Sequence, residues 1–126
     1  MNRDQPWTLP NETVPFLFSE WNHLKMELQE GFTKRDLSRT EIPMKKGIEL
    51  FLKALYWSNL QSVNDNMDSM DRLTVKPINI RERLAYIIKT PNKFHSFIQL
   101  SELFVEMEKL FRKQQALMDA KQYNKK

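Results

Sequence analysis

The sequence predicts a single all-α domain, a helical bundle of about four main helices around a central apolar helix at residues 43–60. Three observations predict this fold class. Apolar residues recur at three- and four-residue steps in four separate segments. No segment shows the alternation of apolar and polar residues that is typical of a strand. The length of 126 residues suits one hydrophobic core and is short for two full domains.

The first predicted helix covers residues 14–30. Pro15 falls in its first turn, where proline is tolerated, and Thr13 stands where a capping residue would be. Gly31 is expected to end the helix, because glycine readily adopts the left-handed conformation found at helix C-termini. An apolar stripe runs along the helix and consists of Val14, Leu17, Trp21, Leu24 and Leu28.

The second predicted helix, residues 43–60, begins at Pro43 and is apolar around most of its circumference. A helix of this kind must be covered on several sides, which is why it is expected at the centre of the bundle. Its polar positions form one narrow stripe of Lys46, Glu49, Lys53 and Tyr56.

A polar connection rich in Asn, Asp and Ser follows at residues 61–75, and the third helix is predicted at residues 80–89. Asn79 and Glu82 have the spacing of a capping box. Pro91 is expected to end the helix, because it disfavours helical geometry at the residue before it. The predicted buried face consists of Ile80, Leu84, Ile87 and Ile88.

The fourth predicted helix begins near Asn92 or Lys93 and ends near Ala120. Three heptads of apolar residues predict a long helix that lies nearly parallel to its neighbours. The same pattern is compatible with pairing of two copies, so the predicted oligomeric state is a monomer or a homodimer through this last helix. The heptad positions include Phe97, Phe104, Phe111 and Met118, and also Leu103, Leu110 and Leu117.

These segments divide the chain into an N-terminal arm at residues 1–13, a helical domain at residues 14–120 and a flexible tail at residues 121–126. The tail is polar, and polar chain ends commonly fray. One domain therefore carries whatever function the protein has.

Composition excludes several classes of function. A chain without cysteine has no disulfide, no thiol nucleophile and no thiolate zinc site, and it suits a reducing compartment. Its apolar runs are far shorter than the roughly 18 residues needed to span a bilayer. The first twelve residues lack the apolar core of a signal peptide. The predicted location is the cytoplasm, with no membrane span.

A search for catalytic or metal-binding motifs finds none that is complete. Glu20 and His23 have the spacing of one half of a di-iron site, but His95 lacks the matching glutamate. The two glycines, Gly31 and Gly47, are too few for a phosphate-binding loop. We therefore expect no cofactor, no metal site and no enzymatic activity.

Two polar residues stand in apolar surroundings, Asn59 at the end of the second helix and Arg83 in the third. Buried polar groups require hydrogen-bond partners. In one interpretation Asn59 or Arg83 is a structural clamp that ties the connection at residues 61–79 to the helices. In the other, a small polar pocket receives an anionic group or a peptide of a partner. The candidate residues are Trp57, Asn59, Arg83, Tyr86 and His95.

The formal net charge is +4, and the positive charge lies mainly in two basic blocks, residues 34–53 and 76–93. These blocks either pair with the acidic segments between them or attract the phosphates of a nucleic acid. Whether they share one face is not determined by the sequence. The candidate nucleic-acid contacts are Lys34, Arg35, Arg39, Lys45, Lys46, Arg81, Lys89 and Lys93.

Three clusters of residues occur in order along the chain. They are Ala54-Leu55-Tyr56-Trp57-x-Asn59, Lys76-Pro77-x-Asn79-x-x-Glu82-Arg83-Leu84 and Phe94-x-Ser96-Phe97-x-Gln99-Leu100-x-Glu102-Leu103. Together they resemble the YpoC-like family of small bacterial proteins, over about residues 44–112. The resemblance implies a cytoplasmic helical protein, an accessory factor without an established activity, and it assigns no functional residues.

The sequence thus predicts a non-enzymatic protein that acts through an unidentified protein partner, with nucleic-acid binding as the alternative. Aromatic residues near the beginning of the chain, Trp7 and Phe16 or Phe18, are candidates for a surface that faces the partner. The alternative for these rings is that they fold back onto the core.

Overall fold

The computed structural model describes residues 5–124, and this part of the chain is helical without any strand. Its four helices are α1 (Pro10–Thr33), α2 (Glu41–Ser58), α3 (Ile80–Lys89) and α4 (Phe94–Asn124). Short 3₁₀ turns lie at Pro6–Thr8, Leu37–Arg39 and Met67–Arg72. The prediction of a single all-α domain with four main helices is confirmed.

The helices α1 and α4 run antiparallel along the core. The ring of Phe18 in α1 lies 5.9 Å from that of Phe111 in α4. At the other end of the same pair, the ring of Phe32 lies 5.7 Å from that of Phe94. The late part of α4 therefore lies beside the beginning of α1.

The helix α2 is the most buried of the four, with nine of its 18 residues buried, as its apolar circumference predicts. It packs against α1 and α4, whereas α3 packs against α4 and the turn at Met67–Arg72. The helix α4 therefore contacts each of the other three. The burial of α2 thus comes from its packing against both α1 and α4.

Tyr56 does not belong to the polar stripe of α2 and is fully buried, so its assignment to that stripe was wrong. Its hydroxyl group forms a hydrogen bond with the hydroxyl group of Ser69 in the Met67–Arg72 turn. A buried tyrosine needs such a partner for its polar end. Tyr56 thereby joins the long connection after α2 to the core.

The helix α1 begins at Pro10, within the segment predicted as an arm, and residues 1–4 of that segment lie outside the described residues. Pro15 is consequently inside the helix and not in its first turn. Thr13 is not the capping residue, since its hydroxyl donates to the carbonyl of Pro6 at 2.9 Å and to that of Leu9 at 3.1 Å.

The end of α1 also differs from the prediction, because the helix passes through Gly31 and continues to Thr33. The residue with the left-handed conformation is Arg35, at φ 53°. The amide of Asp36 donates to the carbonyl of Gly31 at 3.0 Å, which closes the helix end. Gly31 is needed for space, since a Cβ there would lie 2.8 Å from Cγ2 of Thr40.

The bounds of α3 agree with the prediction, but two details were wrong. Asn79 has a φ of 55° and makes no side-chain capping bond, so the capping box does not form. Ile88 is exposed and does not belong to the buried face.

The helix α4 runs past the predicted end at residue 120 and continues through Asn124, while residues 125–126 lie outside the described residues. The heptad pattern predicts burial along the whole stripe, but Leu117 and Met118 are exposed. Among residues 5–124, no other helix covers this last part of α4, because α1 begins only at Pro10.

Candidate functional site

The five residues predicted to form a polar pocket are divided between three places. Asn59, which ends α2, uses all four hydrogen-bonding positions of its amide on the backbone. It donates to the carbonyls of Leu55 and Val75, both at 2.8 Å. Its carbonyl oxygen accepts from the amides of Thr74 at 3.0 Å and Val75 at 2.8 Å. Asn59 thus fastens the connection after α2 to the helix and has no position left for a ligand.

Arg83 joins α3 to α4. Its guanidinium group forms a two-pronged ion pair with the Glu106 carboxylate, in which one nitrogen lies 3.0 Å from Oε1 and the other bonds to Oε2. It also donates to the carbonyl of Ile78 at 3.0 Å. The hydrogen-bonded carboxylate of Glu106 raises the pKa of Arg83, against the opposing effect of partial burial. The charge of Arg83 is therefore already neutralised within the fold.

Tyr86 and His95 are the members of the set that lie together with Arg83. The two rings pack edge to face, with centroids 5.7 Å apart. Together with Glu82 and Gln99, the three residues line a shallow depression of about 320 Å³. Because its cation is paired and Glu82 adds a negative charge, this depression is poorly suited to an anion.

Trp57 lies apart from the rest of the set, in a groove between α1 and α2. The ammonium group of Lys53 lies 6.0 Å from the centroid of its indole ring. Within residues 5–124, no cluster of three or more acidic or histidine side chains has the geometry to hold a metal ion.

Parts of the two basic blocks come together at one end of the bundle. The contact between Phe32 and Phe94 brings the connection after α1 beside the corner that leads from α3 into α4. We call this region the basic end and define it by the cations Lys34, Arg35, Arg39, Lys89 and Lys93. Arg81 does not belong to it, since it lies near the start of α3, at the opposite end of that helix from Lys89.

Four of the eight predicted nucleic-acid contacts are engaged in ion pairs. Lys34 and Arg39 lie 2.8 Å and 3.4 Å from the carboxylate of Glu30. Lys45 is paired with an acid of its own helix at 3.9 Å, and Arg81 with one of the preceding turn at 2.7 Å. Of the eight predicted contacts, the four that form no ion pair in the described part of the chain are Arg35, Lys46, Lys89 and Lys93.

A groove of about 640 Å³ opens at the basic end, between the end of α1, the connection to α2 and the corner before α4. We call it the basic-end groove. Its apolar surface comes from Phe32, Leu37 and Phe94, and Arg35 stands at its edge. Leu37 and Phe94 are exposed to solvent.

Asp36 is the acidic residue of the lining. The hydroxyl group of Ser38 donates to its carboxylate at 2.6 Å, and the Ser38 amide donates at 3.1 Å. These two hydrogen bonds, of which the one from the hydroxyl group has the larger effect, hold the pKa of Asp36 below its ordinary value. The carboxylate is thus ionised at neutral pH and fixed in the turn, and the nearby charge of Arg39 also lowers its pKa.

Sequence reasoning missed the apolar part of this groove. Phe32 lies near the end of one helix and Phe94 at the beginning of another, and both positions predict burial in the core. Only the folded chain brings the two rings together. The signal available in the sequence was Leu37, an isolated apolar residue within the basic connection.

Comparison with known proteins supplies the family. A family model described as "YpoC-like protein" matches residues 11–119. The chain belongs to the YpoC-like family. The match confirms the resemblance carried by the three clusters and extends it over α1, which those clusters do not include.

The YpoC-like chain is also similar to the protein named "Uncharacterized protein YpoC" from Bacillus subtilis (strain 168). The two are 36% identical over 117 residues, which cover 90% of this chain and 71% of the relative. No solved structure matches. Neither the family description nor the name of this relative states an activity.

Over residues 5–124, no helix of the YpoC-like chain is both long enough and apolar enough to cross a bilayer.

Proposed function

We propose that this YpoC-like protein is a non-enzymatic accessory protein of the cytoplasm that binds an acidic segment of a protein partner in the basic-end groove. The observation that supports this most is that parts of the two basic blocks come together beside an exposed apolar groove. The blocks are distant in the sequence and come together only through the packing of α1 against α4.

The apolar surface of the groove favours a protein segment as the ligand. Leu37 and Phe94 present uncovered apolar area, whose burial under a partner's side chain is favourable. The volume of about 640 Å³ falls within the range of about 300–1,000 Å³ that is typical of ligand sites. A branched or aromatic side chain of the partner would fill it.

The charge around the groove indicates an acidic segment. Arg35 lines the groove, Lys93 directly precedes Phe94 in the chain, and Lys89 ends α3. None of the three forms an ion pair in residues 5–124. Complementary charge speeds encounter and selects among partners more than it raises affinity. An acidic segment would therefore be selected over neutral or basic ones.

Nucleic-acid binding is the second candidate. It is favoured by one observation, the exposed ring of Phe94 next to Lys93, since base stacking and phosphate contact often occur side by side. It ranks second because the ion pairs of Lys34, Arg39, Lys45 and Arg81 weaken the attraction of the basic blocks for phosphate.

The test compares proteins captured from an extract of the native host by the wild-type chain and by two charge-reversal variants. Arg35→Glu/Lys93→Glu alters the groove, and Arg72→Glu/Lys109→Glu is the matched control at exposed cations elsewhere. The proposal predicts a protein captured by the wild type and the control and lost from the groove variant. A synthetic peptide of that protein's acidic segment should then bind the wild type. Equal capture by both variants would contradict the proposal.

An electrophoretic shift with single- and double-stranded oligonucleotides at two salt concentrations tests the second candidate. A shift that weakens with salt and is lost in Arg35→Glu/Lys93→Glu would support nucleic-acid binding. No shift at low salt would reject it.

A further inference from the structure

The last part of α4 is an uncovered amphipathic helix. At 1.5 Å per residue, the 31 residues of α4 extend about 46 Å and the 24 residues of the antiparallel α1 about 36 Å. Phe104 and Phe111 are 2% exposed, but Met118 at the next heptad position is 41% exposed and its neighbour Leu117 is 53% exposed. The apolar stripe of α4 thus continues beyond the part that the bundle covers.

Lysines flank the apolar residues of this segment. Lys113 and Lys121 lie four residues before and four residues after Leu117, so the three side chains share one face of the helix. Neither lysine forms an ion pair within residues 5–124. We call the segment from Lys113 to Lys121 the α4 tail.

The groove between α1 and α2 has the opposite arrangement. Phe16, which is 66% exposed, lines this groove beside Trp57, and the volume is about 360 Å³. Glu12 and Glu20 lie four residues before and four residues after Phe16 and line the same groove. Neither glutamate forms an ion pair in the described part of the chain.

We propose that the α4 tail of one copy of this protein docks in the α1–α2 groove of a second copy. Both surfaces carry an apolar centre with a charge one helical turn away on each side, a distance of about 6 Å along the axis. The charges are positive on the tail and negative at the groove. When Leu117 lies against Phe16, the two lysines come opposite the two glutamates in either direction of the helix.

Within one chain the tail does not reach its own groove, because α4 is a continuous helix and Leu117 stays exposed. The occupant is therefore a second copy.

The positions of the two surfaces favour a closed dimer. The groove includes Glu12 near the start of α1, and the antiparallel packing places the late part of α4 at this same end of the bundle. Two copies related by a two-fold axis at this end exchange their tails reciprocally, each tail entering the other's groove. A closed two-fold arrangement leaves no surface open for further growth.

Sedimentation and light scattering of the full chain over a wide concentration series test the proposal. The wild type should form a dimer that weakens as salt is added. Leu117→Asp and Phe16→Asp should each weaken the dimer by about tenfold or more. Met26→Asp, at another exposed apolar residue of α1, is the control and should leave it unchanged. A wild type that stays monomeric, or a dimer unaffected by Leu117→Asp, would overturn the proposal.

An exchange of charges between the two surfaces is the decisive experiment. Glu12→Lys/Glu20→Lys and Lys113→Glu/Lys121→Glu each place like charges at both contacts, so each variant alone should be monomeric. A mixture of the two restores opposite charges at both contacts and should give a mixed dimer. All the altered side chains are at least partly exposed, and circular dichroism verifies the fold of each variant. Folded variants that stay monomeric when mixed would overturn the proposal, and growth into larger assemblies would overturn the closed dimer.

Discussion

Gly47 of α2 lies directly against the indole ring of Trp21 in α1. A Cβ at Gly47 would lie 2.8 Å from Cζ3 of Trp21 and 3.2 Å from Cδ2 of Leu100. The same indole stacks on Phe104 with ring centroids 4.3 Å apart. The missing side chain of Gly47 is therefore what allows α1, α2 and α4 to approach one another at this level of the core.

The first prediction concerns this contact. Gly47→Ala should lower the free energy of unfolding by about 1–3 kcal/mol, because a buried indole ring has no room to move aside. Helix propensity alone predicts the opposite, a gain of about 1 kcal/mol. Urea unfolding measures the difference, with the exposed neighbour Lys46→Ala as control. A more stable Gly47→Ala variant would contradict this expectation and show that the side chains around Gly47 can move to make room for a methyl group.

Asn59 should be essential for the order of the connection after α2. Asn59→Ala removes four hydrogen bonds to the backbone and leaves part-buried amides and carbonyls without partners, so we expect a loss of at least about 2 kcal/mol. Amide hydrogen exchange should be faster at Thr74 and Val75 in particular. The control is Asn22→Ala at an exposed position of α1, and equal exchange rates in both variants would refute the role of a clamp.

The ion pair between Arg83 and Glu106 should behave as a structural link. With Arg83 about one-fifth exposed and Glu106 about two-fifths exposed, a coupling free energy of about 1–2 kcal/mol is expected between the two side chains. A double-mutant cycle of Arg83→Met and Glu106→Gln, followed by urea unfolding, measures it. A coupling near zero would mean that the pair adds nothing to the packing of α3 on α4.

Leu60 offers a stabilising substitution. It ends α2 in the left-handed conformation, at φ 60°, where the amide of Gln61 donates to the carbonyl of Tyr56 at 3.0 Å. Leu60→Gly should raise the free energy of unfolding by about 0.5–1 kcal/mol, because glycine takes this conformation without strain. Ser62→Gly, at an exposed residue with an ordinary φ, should not stabilise the protein. If Leu60→Gly does not raise the free energy of unfolding, the exposed side chain of Leu60 stabilises the protein at least as much as its left-handed conformation destabilises it.

Acid should loosen the connection between α1 and α2. A hydrogen bond from Lys34, with its charge and that of Arg39, holds the pKa of Glu30 below the ordinary value. The stabilisation is therefore present above the unfolded pKa of about 4.3 and is lost as the pH falls through the lower folded pKa. Carbon NMR titration should show a depressed midpoint for Glu30 that rises toward the ordinary value in Lys34→Ala. An unchanged midpoint would exclude Lys34 as the main cause.

The sequence predicts the helices well because their periodicity is a local property. The bounds of α3, Ile80–Lys89, are predictable because a polar connection precedes this helix and Pro91 follows it. The ends of α1 and α2 were less predictable, since the left-handed residues are Arg35 and Leu60 and not glycines. A helix closes wherever its last carbonyls find amides, and the strain at one ordinary residue is small enough for the fold to tolerate.

The candidate site was predictable only in its charges. The two basic blocks are visible along the chain, but their meeting depends on the contact between Phe32 and Phe94, which is a property of the folded topology. Asn59 and Arg83 were found because polar residues in apolar context require partners. Their partners, the backbone near Val75 and the carboxylate of Glu106, could not be named, because spacing in the sequence does not specify contacts between helices.

The contact of α4 with every other helix has a consequence for biosynthesis. The ribosome completes α4 after α1, α2 and α3, so a nascent chain that has not reached Phe97 leaves Phe18 and Trp21 without their aromatic neighbours. Such a chain presents apolar surface to chaperones and to other nascent chains. The interior of this protein can therefore close only after α4 has been synthesised.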